Sequence, residues 1–304
     1  MNNTQFINYK QIKKNSIIIA GLPGQMAHFL RPWAVANELA KLNYESYILG
    51  DSDGFHQFTD EQLSKTTLEN VKYVSLKELI FEPRRIIEGN IPEEYINNVA
   101  SLVQILKEIE PKVILSDHNV PINLAARLTN IPLITITDFS NVVLNDIEFK
   151  KYINDEEILQ SSKKYFGRLA PNLDLWFKQV QKKLNIDVEY SYQNYELMEC
   201  GTKTTFFSED KDFIIKALDN PSNVINVTNK GHQFSGSVQP DEFISRLIDK
   251  DHIDQIEEQI IDLKKMGKKL ALCTYGTYWQ PFFFEKLLEV VKLSPNIHFV
   301  ITTK

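Results

Sequence analysis

Residues 16–25 read SIIIAGLPGQ, and this stretch decides the fold. The run Ile17–Ala20 is short, apolar and β-branched, which is typical of a strand buried on both faces of a sheet. A turn containing glycine and proline follows, and then Pro32–Leu42 carries apolar residues at helical spacing. Because Tyr47–Leu49 is a second apolar run, the segment is predicted to be a strand–helix–strand unit. The right-handed crossover of such a unit makes its two strands parallel.

The same alternation continues along the chain to about residue 240. Further strands are predicted at Val71–Val74, Val113–Leu115, Leu133–Ile136 and Thr204–Phe207, and further helices at Tyr95–Ile109 and Ile122–Leu128. Strands that alternate with helices predict an α/β fold with a parallel, Rossmann-like sheet covered on both faces. We also expect a loose polar lead-in before residue 16, a helical insertion at about residues 145–200, and a connection between domains at residues 222–240.

The strand–helix pattern restarts after this connection. A strand at Lys269–Cys273, a helix at Phe282–Val291 and a strand at His298–Ile301 are predicted. The sequence therefore predicts two domains, residues 1–240 and residues 241–304. One strand–helix–strand unit is too small for a doubly wound domain, so we expect the second Rossmann-like domain to be only begun.

Composition excludes several classes of protein. The 304 residues are 43% hydrophobic and 24% charged, with a net charge of -6, which is typical of a folded globular chain. Lys and Arg form no block, so we expect no nucleic-acid partner. The two cysteines, Cys200 and Cys273, lie far apart, which argues against a disulfide framework or a zinc site and indicates a reducing cytoplasm. The sequence has no apolar run of the roughly 18–20 residues that cross a bilayer.

Three segments follow predicted strands and therefore meet at the edge where ligands bind in open parallel sheets. They are the turn Gly21–His28, the pair Asp117–His118 and the turn Thr274–Tyr278. Their convergence on the carboxyl ends of strands makes them the candidate site.

The residues of the first turn and helix resemble those of a known family. The run Gly24–His28, followed by Pro32, Ala34, Ala36 and Leu39, is similar to the start of GT-B glycosyltransferases of the UDP-glucuronosyl and macrolide type. The chain departs from that pattern at three positions. Ala27 stands where the family has Gly, Arg31 stands where it has Pro, and Pro32 comes one place late. Further segments resemble the family in the expected order: Pro111–Asp117, Ala125–Leu128, Ile131–Pro132, Phe234–Val238 and Leu270–Thr277.

This resemblance implies transfer of a sugar from a UDP-type nucleotide sugar to a hydroxyl of a small or lipophilic acceptor, with inversion and without a metal ion or a cofactor. His28 is then a general base, which suits an imidazole with an ordinary pKa near ~6.5. Asp117 would accept the other ring N–H. The alternatives are a structural or helix-capping His28, a strand-end Asp117, and His118 as the base. Gly24, Gly276 and Thr277 are the candidate donor contacts.

The family's remaining donor-site segments, a His-Gly helix start and an Asp-Gln or Glu-Gln pair, have no counterpart in these 304 residues. We therefore expect an incomplete donor site, little activity of the chain alone, and either a missing donor domain or self-association. Two alternatives stay open. One is a non-catalytic module that binds an acceptor or regulates a partner. The other is an NAD(P)-dependent oxidoreductase, based on Gly21-x-x-Gly24-x-x-Ala27 and Asp51.

Aromatic residues are frequent in and near the predicted insertion. They have two interpretations, the lining of an apolar acceptor pocket and ordinary helix packing. The residues concerned are Trp176, Phe177, Tyr190, Tyr192 and Tyr195.

Overall fold

The structure is a computed structural model of the chain. It describes residues 6–22, 26–50, 60–76, 79, 91–138, 173–188, 194–208, 211–212, 232–236, 250–267, 269–274, 281–294 and 296–302. The chain divides into two compact units, Met1–Pro240 and Asp241–Lys304.

The first unit alternates strands and helices. Its strands are β1 (Phe6–Ile7), β2 (Ile17–Gly21), β3 (Ser46–Gly50), β4 (Val71–Ser75), β5 (Val113–Asp117), β6 (Leu133–Thr137), β7 (Thr204–Phe207) and β8 (His232–Phe234). Its helices are α1 (Met26–Lys41), α2 (Asp60–Thr66), α3 (Glu93–Ile109), α4 (Val120–Leu128), α5 (Leu173–Leu184) and α6 (Asn194–Glu199).

Within the described residues, these eight strands form one sheet in the order β1-β4-β3-β2-β5-β6-β7-β8, and every adjacent pair is parallel. The parallel α/β sheet predicted from the sequence is thus confirmed. From β2 the chain winds outward through β3 and β4, and it then returns to place β5 on the other side of β2. The boundary between β2 and β5 is therefore the switch point of the sheet, where ligands bind in such folds.

Helices cover the sheet. Ile18 and Ala20 of β2 belong to a buried apolar cluster with α3, α4 and α5, to which Leu102 and Val103 contribute. Ile19 points to the opposite face, because side chains alternate along a strand, and it is also fully buried. Helix α1 contacts β2, β3 and β5 and buries Trp33.

The structure corrects three sequence expectations for this unit. The segment before residue 16 is not only a loose lead-in, because Phe6–Ile7 pairs with β4 and the Phe6 ring stacks on Tyr73 at 5.2 Å. Residues 222–240 are not only a connection, because they contain β8. Strands of two and three residues are too short to show a period. Helix α1 begins at Met26, before Pro32, which lies inside it.

The second unit contains α7 (Lys250–Lys265), β9 (Lys269–Thr274), α8 (Pro281–Leu293) and β10 (Ile297–Thr302). Strands β9 and β10 are parallel and form their own two-stranded sheet, in which Lys269 lies opposite Ile297. This matches the predicted strand–helix–strand pattern.

In the part of the chain that the structure describes, each helix is either too short or too polar to cross a lipid bilayer.

Candidate active site

The candidate site lies at the switch point between β2 and β5. Gly21, the last residue of β2, is in register with Asp117, the last residue of β5. Leu22 N–H donates to the Asp117 carbonyl at 2.8 Å. Asn119, which caps α4 by accepting from the Ile122 N–H, also donates its side-chain amide to the Gly21 carbonyl at 2.9 Å. The ends of the two strands and the start of α4 are thereby tied together.

Close packing brings the first turn of α1 to this edge. Pro32 has no N–H to donate to the His28 carbonyl four residues earlier. Gly21 packs against that carbonyl so closely that a Cβ at this position would lie 1.8 Å from the His28 oxygen. Any larger residue at position 21 would push the helix away, so Gly21 sets the place of His28.

The structure brings His28 and Asp117 into direct contact across 89 positions of sequence. His28 Nδ1 lies 2.9 Å from Asp117 Oδ1. The Asp117 side chain is fully buried and that of His28 is 12% exposed. A buried carboxylate must have partners, since an unpaired charge in the interior is very unfavourable. Both predicted catalytic residues thus meet in the geometry of a histidine–carboxylate pair.

Arg31 is a third member of this group that the sequence analysis missed as a site residue. Its Nε lies 2.9 Å from Asp117 Oδ2. The N–H does not point at that oxygen, so the contact is an ion pair rather than a hydrogen bond. Arg31 Nη1 also donates to Ser208 Oγ at 3.1 Å and lies 3.5 Å from Asp138 Oδ1. One feature of the sequence could have indicated this role: position 31 carries a charged residue where the similar family has proline.

The proton on His28 follows from these contacts. Its Nδ1 lies 2.9 Å from both Asp117 Oδ1 and Arg31 Nη2, and one ring nitrogen cannot donate to the first while it accepts from the second. We assign the proton to Nδ1, because the buried carboxylate then keeps its donor. Arg31 keeps Ser208 and Asp138 as partners of its Nη1 and Asp117 beside its Nε. This tautomer leaves the lone pair of His28 on Nε2.

His118 has its own carboxylate and does not compete for Asp117. Its Nδ1 lies 3.1 Å from Oε2 of Glu199, which is 1% exposed. Burial lowers the pKa of His118, but the charge and hydrogen bond of Glu199, followed by the charges of Asp117 and Asp138, raise it to about 9. The His118 and His28 rings meet edge to face, with centroids 4.8 Å apart.

Three of these side chains are close enough to hold a metal ion. One ligand atom each from His28, Asp117 and His118 lies within 4.8 Å of the others. However, Arg31 already pairs with Asp117, and its fixed positive charge repels a dication at this distance. Glu199 engages the Nδ1 of His118. The site therefore favours acid–base chemistry over metal binding.

The predicted donor contacts Gly24, Gly276 and Thr277 lie outside the described residues. Of the aromatic residues considered for an acceptor pocket, Trp176 and Phe177 are fully buried core residues. The Trp176 ring packs at 5.8 Å from Tyr95 of α3. Helix packing was thus the correct interpretation for these two.

A cleft of about 380 Å³ lies at the other end of the strands. Residues before β6 and β7, including Pro132 and Thr202, line it. Ligands in this class of fold bind at the carboxyl ends of strands, so the His28 edge is the better candidate.

Comparison with known proteins identifies the fold. No family model and no curated protein matches the sequence. The Arabidopsis thaliana protein UGT89C1 is 12% identical with a TM-score of 0.55, and the match covers 96% of this chain and 65% of that one. The glycotransferase of kitacinnamycin is 14% identical with a TM-score of 0.52, covering 96% and 66%. Medicago truncatula UGT71G1 complexed with UDP-glucose is 14% identical with a TM-score of 0.51, covering 96% and 67%.

The chain therefore has the fold of GT-B glycosyltransferases of the UDP-glycosyltransferase type, as the residues of the first turn and helix predicted. At these identities the comparison shows the fold alone. The chain spans about two thirds of the length of the three structures that it matches. A further structure of the Arabidopsis protein is complexed with quercetin, with a TM-score of 0.53 to this chain.

Proposed function

We propose that this chain takes part in transfer of a sugar from a UDP-type nucleotide sugar to a hydroxyl group of a small or lipophilic acceptor. The observation that carries the proposal is the 2.9 Å contact between His28 and Asp117 at the switch point of the sheet. Its support is the fold, which is shared with a protein solved with UDP-glucose and with another solved with quercetin.

In this mechanism His28 is the general base. The acceptor hydroxyl gives its proton to His28 Nε2, the ring nitrogen that Asp117 does not engage. The freed oxygen pair forms a bond to the anomeric carbon while the bond from that carbon to the diphosphate breaks. UDP leaves with the electron pair of the broken bond. This single displacement inverts the configuration at the anomeric carbon. Asp117 stabilises the imidazolium that forms, because a carboxylate favours the charged form of a hydrogen-bonded ring.

We assign the acceptor side to residues 1–240 and the donor side to residues 241–304. Gly24, Gly276 and Thr277 are the proposed contacts of the diphosphate, since backbone N–H groups near a helix start suit phosphate oxygens. The reaction as proposed uses the nucleotide sugar as co-substrate, without a metal ion or a further cofactor. With Cys200 free and buried, we place the reaction in a reducing cytoplasm.

The test is turnover of UDP-glucose and quercetin as probe substrates, followed by mass spectrometry of the glucoside. His28→Ala should lower turnover by about 10²–10⁴-fold, the usual contribution of general acid–base catalysis. Asp117→Asn should act on the same step with a smaller loss. Glu38→Gln is the matched control on α1, because the Glu38 side chain is exposed and pairs with Lys41 at the C-terminal end of the helix; its turnover should equal that of the unchanged chain.

Other outcomes would favour the alternatives. Near-normal turnover of His28→Ala at saturating probe concentrations would remove His28 from the mechanism. Binding of quercetin in calorimetry without turnover, both alone and with a separately supplied donor domain, would favour an acceptor-binding module. Binding of NADPH instead of UDP-glucose would favour the oxidoreductase alternative.

A further inference from the structure

A second histidine–carboxylate pair lies beside the first. His118, directly after β5, contacts Glu199 at the end of α6. The Thr137 hydroxyl also donates to the same Glu199 oxygen, so this carboxylate is held from two sides. The backbone of His118 has φ 54°, in the left-handed region that non-glycine residues adopt infrequently. Packing and hydrogen bonding therefore place this ring, although its local backbone is unfavourable.

The two pairs differ in the charges that surround them. Among the described residues, His28 has Asp117 and Arg31 as charged neighbours. His118 has Glu199, Asp138 and Asp117. The carboxylate of His28 is thus shared with a guanidinium, while His118 has a buried carboxylate and a second acid, Asp138, 3.9 Å from its Nε2. A proton that enters this group is better stabilised on His118.

Contact between the rings couples the two histidines. Their centroids are 4.8 Å apart at an angle of 70°, so the two rings are in edge-to-face contact. Two imidazolium ions at that distance, in a site largely shielded from water, repel each other strongly. Protonation of one ring therefore disfavours protonation of the other.

We infer that His118 and Glu199 are positioning residues that keep the proton of this site on His118 and thereby hold His28 in its neutral form, ready to accept a proton. The consequence for catalysis rests on the proposed function. The distribution of protons between the two rings is independent of the proposed function, because it is measured without any substrate.

The experiment is a pH titration of the full chain by NMR, with ¹⁵N- and ¹³C-labelled histidine. The signals of the two rings are assigned with His28→Gln and His118→Asn. We expect His118 to stay protonated at pH values where His28 is already neutral, with midpoints separated by more than about one pH unit. A protonated His28 beside a neutral His118 near neutral pH overturns the inference.

A matched variant tests the coupling. His118→Asn combined with Glu199→Gln replaces the charged pair by a neutral one. Asn tolerates the left-handed backbone, and Gln keeps a hydrogen-bonding side chain of the same length. The midpoint of His28 should rise by about half a pH unit or more, because the imidazolium in contact with it is gone. An unchanged midpoint in a folded variant overturns the coupling. If the variant does not fold, the titration of the unchanged chain still decides.

The two proposals fail separately. A titration as expected, with no sugar transfer to any probe, would refute the proposed function and leave this inference standing. Loss of turnover in His28→Ala, together with a His28 ring that gains its proton at higher pH than His118, would refute this inference alone.

Discussion

Raising the pH should destabilise the first unit, because His118 loses its proton. The surroundings of His118 in the structure determine how much stability is lost. The folded protein raises the pKa of His118 from an ordinary 6.5 to about 9. A group whose pKa is higher in the folded state stabilises the fold fully below its unfolded pKa, and this contribution is lost as the pH rises through the folded pKa. Between pH 6.5 and about 9.5, the loss corresponds to about 3 kcal/mol. The side chain is only 9% exposed, so solvent screens little of it.

The assay is urea unfolding at these two pH values, followed by tryptophan fluorescence, to which Trp33 and Trp176 contribute, both buried in the first unit. The variant that combines His118→Asn with Glu199→Gln is the reference. Titrating groups that do not contact this pair are common to both proteins, so their contributions cancel in the difference. The coupling of His28 to the pair is part of the difference that the assay measures. The unchanged chain should lose about 3 kcal/mol more than the variant does. Equal losses in the two proteins would show that His118 and Glu199 do not form the charged pair described here.

Two substitutions test the packing of the first unit. Gly21→Ala should destabilise the first unit by at least about 1–3 kcal/mol and shift the His28 ring signals, because the new Cβ would overlap the His28 carbonyl; unchanged signals in NMR would contradict the role given to Gly21. Thr67→Val should cost about 1–3 kcal/mol in urea unfolding, since the buried Thr67 hydroxyl accepts from Trp33 Nε1 at 3.0 Å and bonds Tyr73 at 2.6 Å. A loss below about half a kcal/mol would mean that these groups find other partners.

Local sequence patterns predicted the central strands of the sheet correctly but missed its two edge strands. The runs at β2, β3, β5 and β6 are apolar, often β-branched, and bounded by turn residues, so each could be recognised without its neighbours. The edge strands β1 and β8 have only two and three residues. They exist because β4 and β7 offer unpaired backbone groups, and that reason lies outside their own sequence.

The residues of the site likewise fall into those that the sequence could predict and those that it could not. His28 and Asp117 could be selected because each follows a predicted strand, and parallel strands end at one edge. Arg31 and Glu199 could not be selected. Arg31 looks like one more charged residue of an amphipathic helix, and Glu199 lies on a six-residue helix far along the chain from His118.

By itself the sequence determined the α/β class and the parallel winding, and it selected His28 and Asp117 as candidates, because periodicity and the ends of strands are visible in short segments. Only the tertiary structure decided which charges surround those residues. Arg31 against Asp117 and Glu199 against His118 are contacts between elements distant in sequence. Burial then determines where the proton resides, since the interaction of charges depends on distance and on exclusion of water, which no local pattern records.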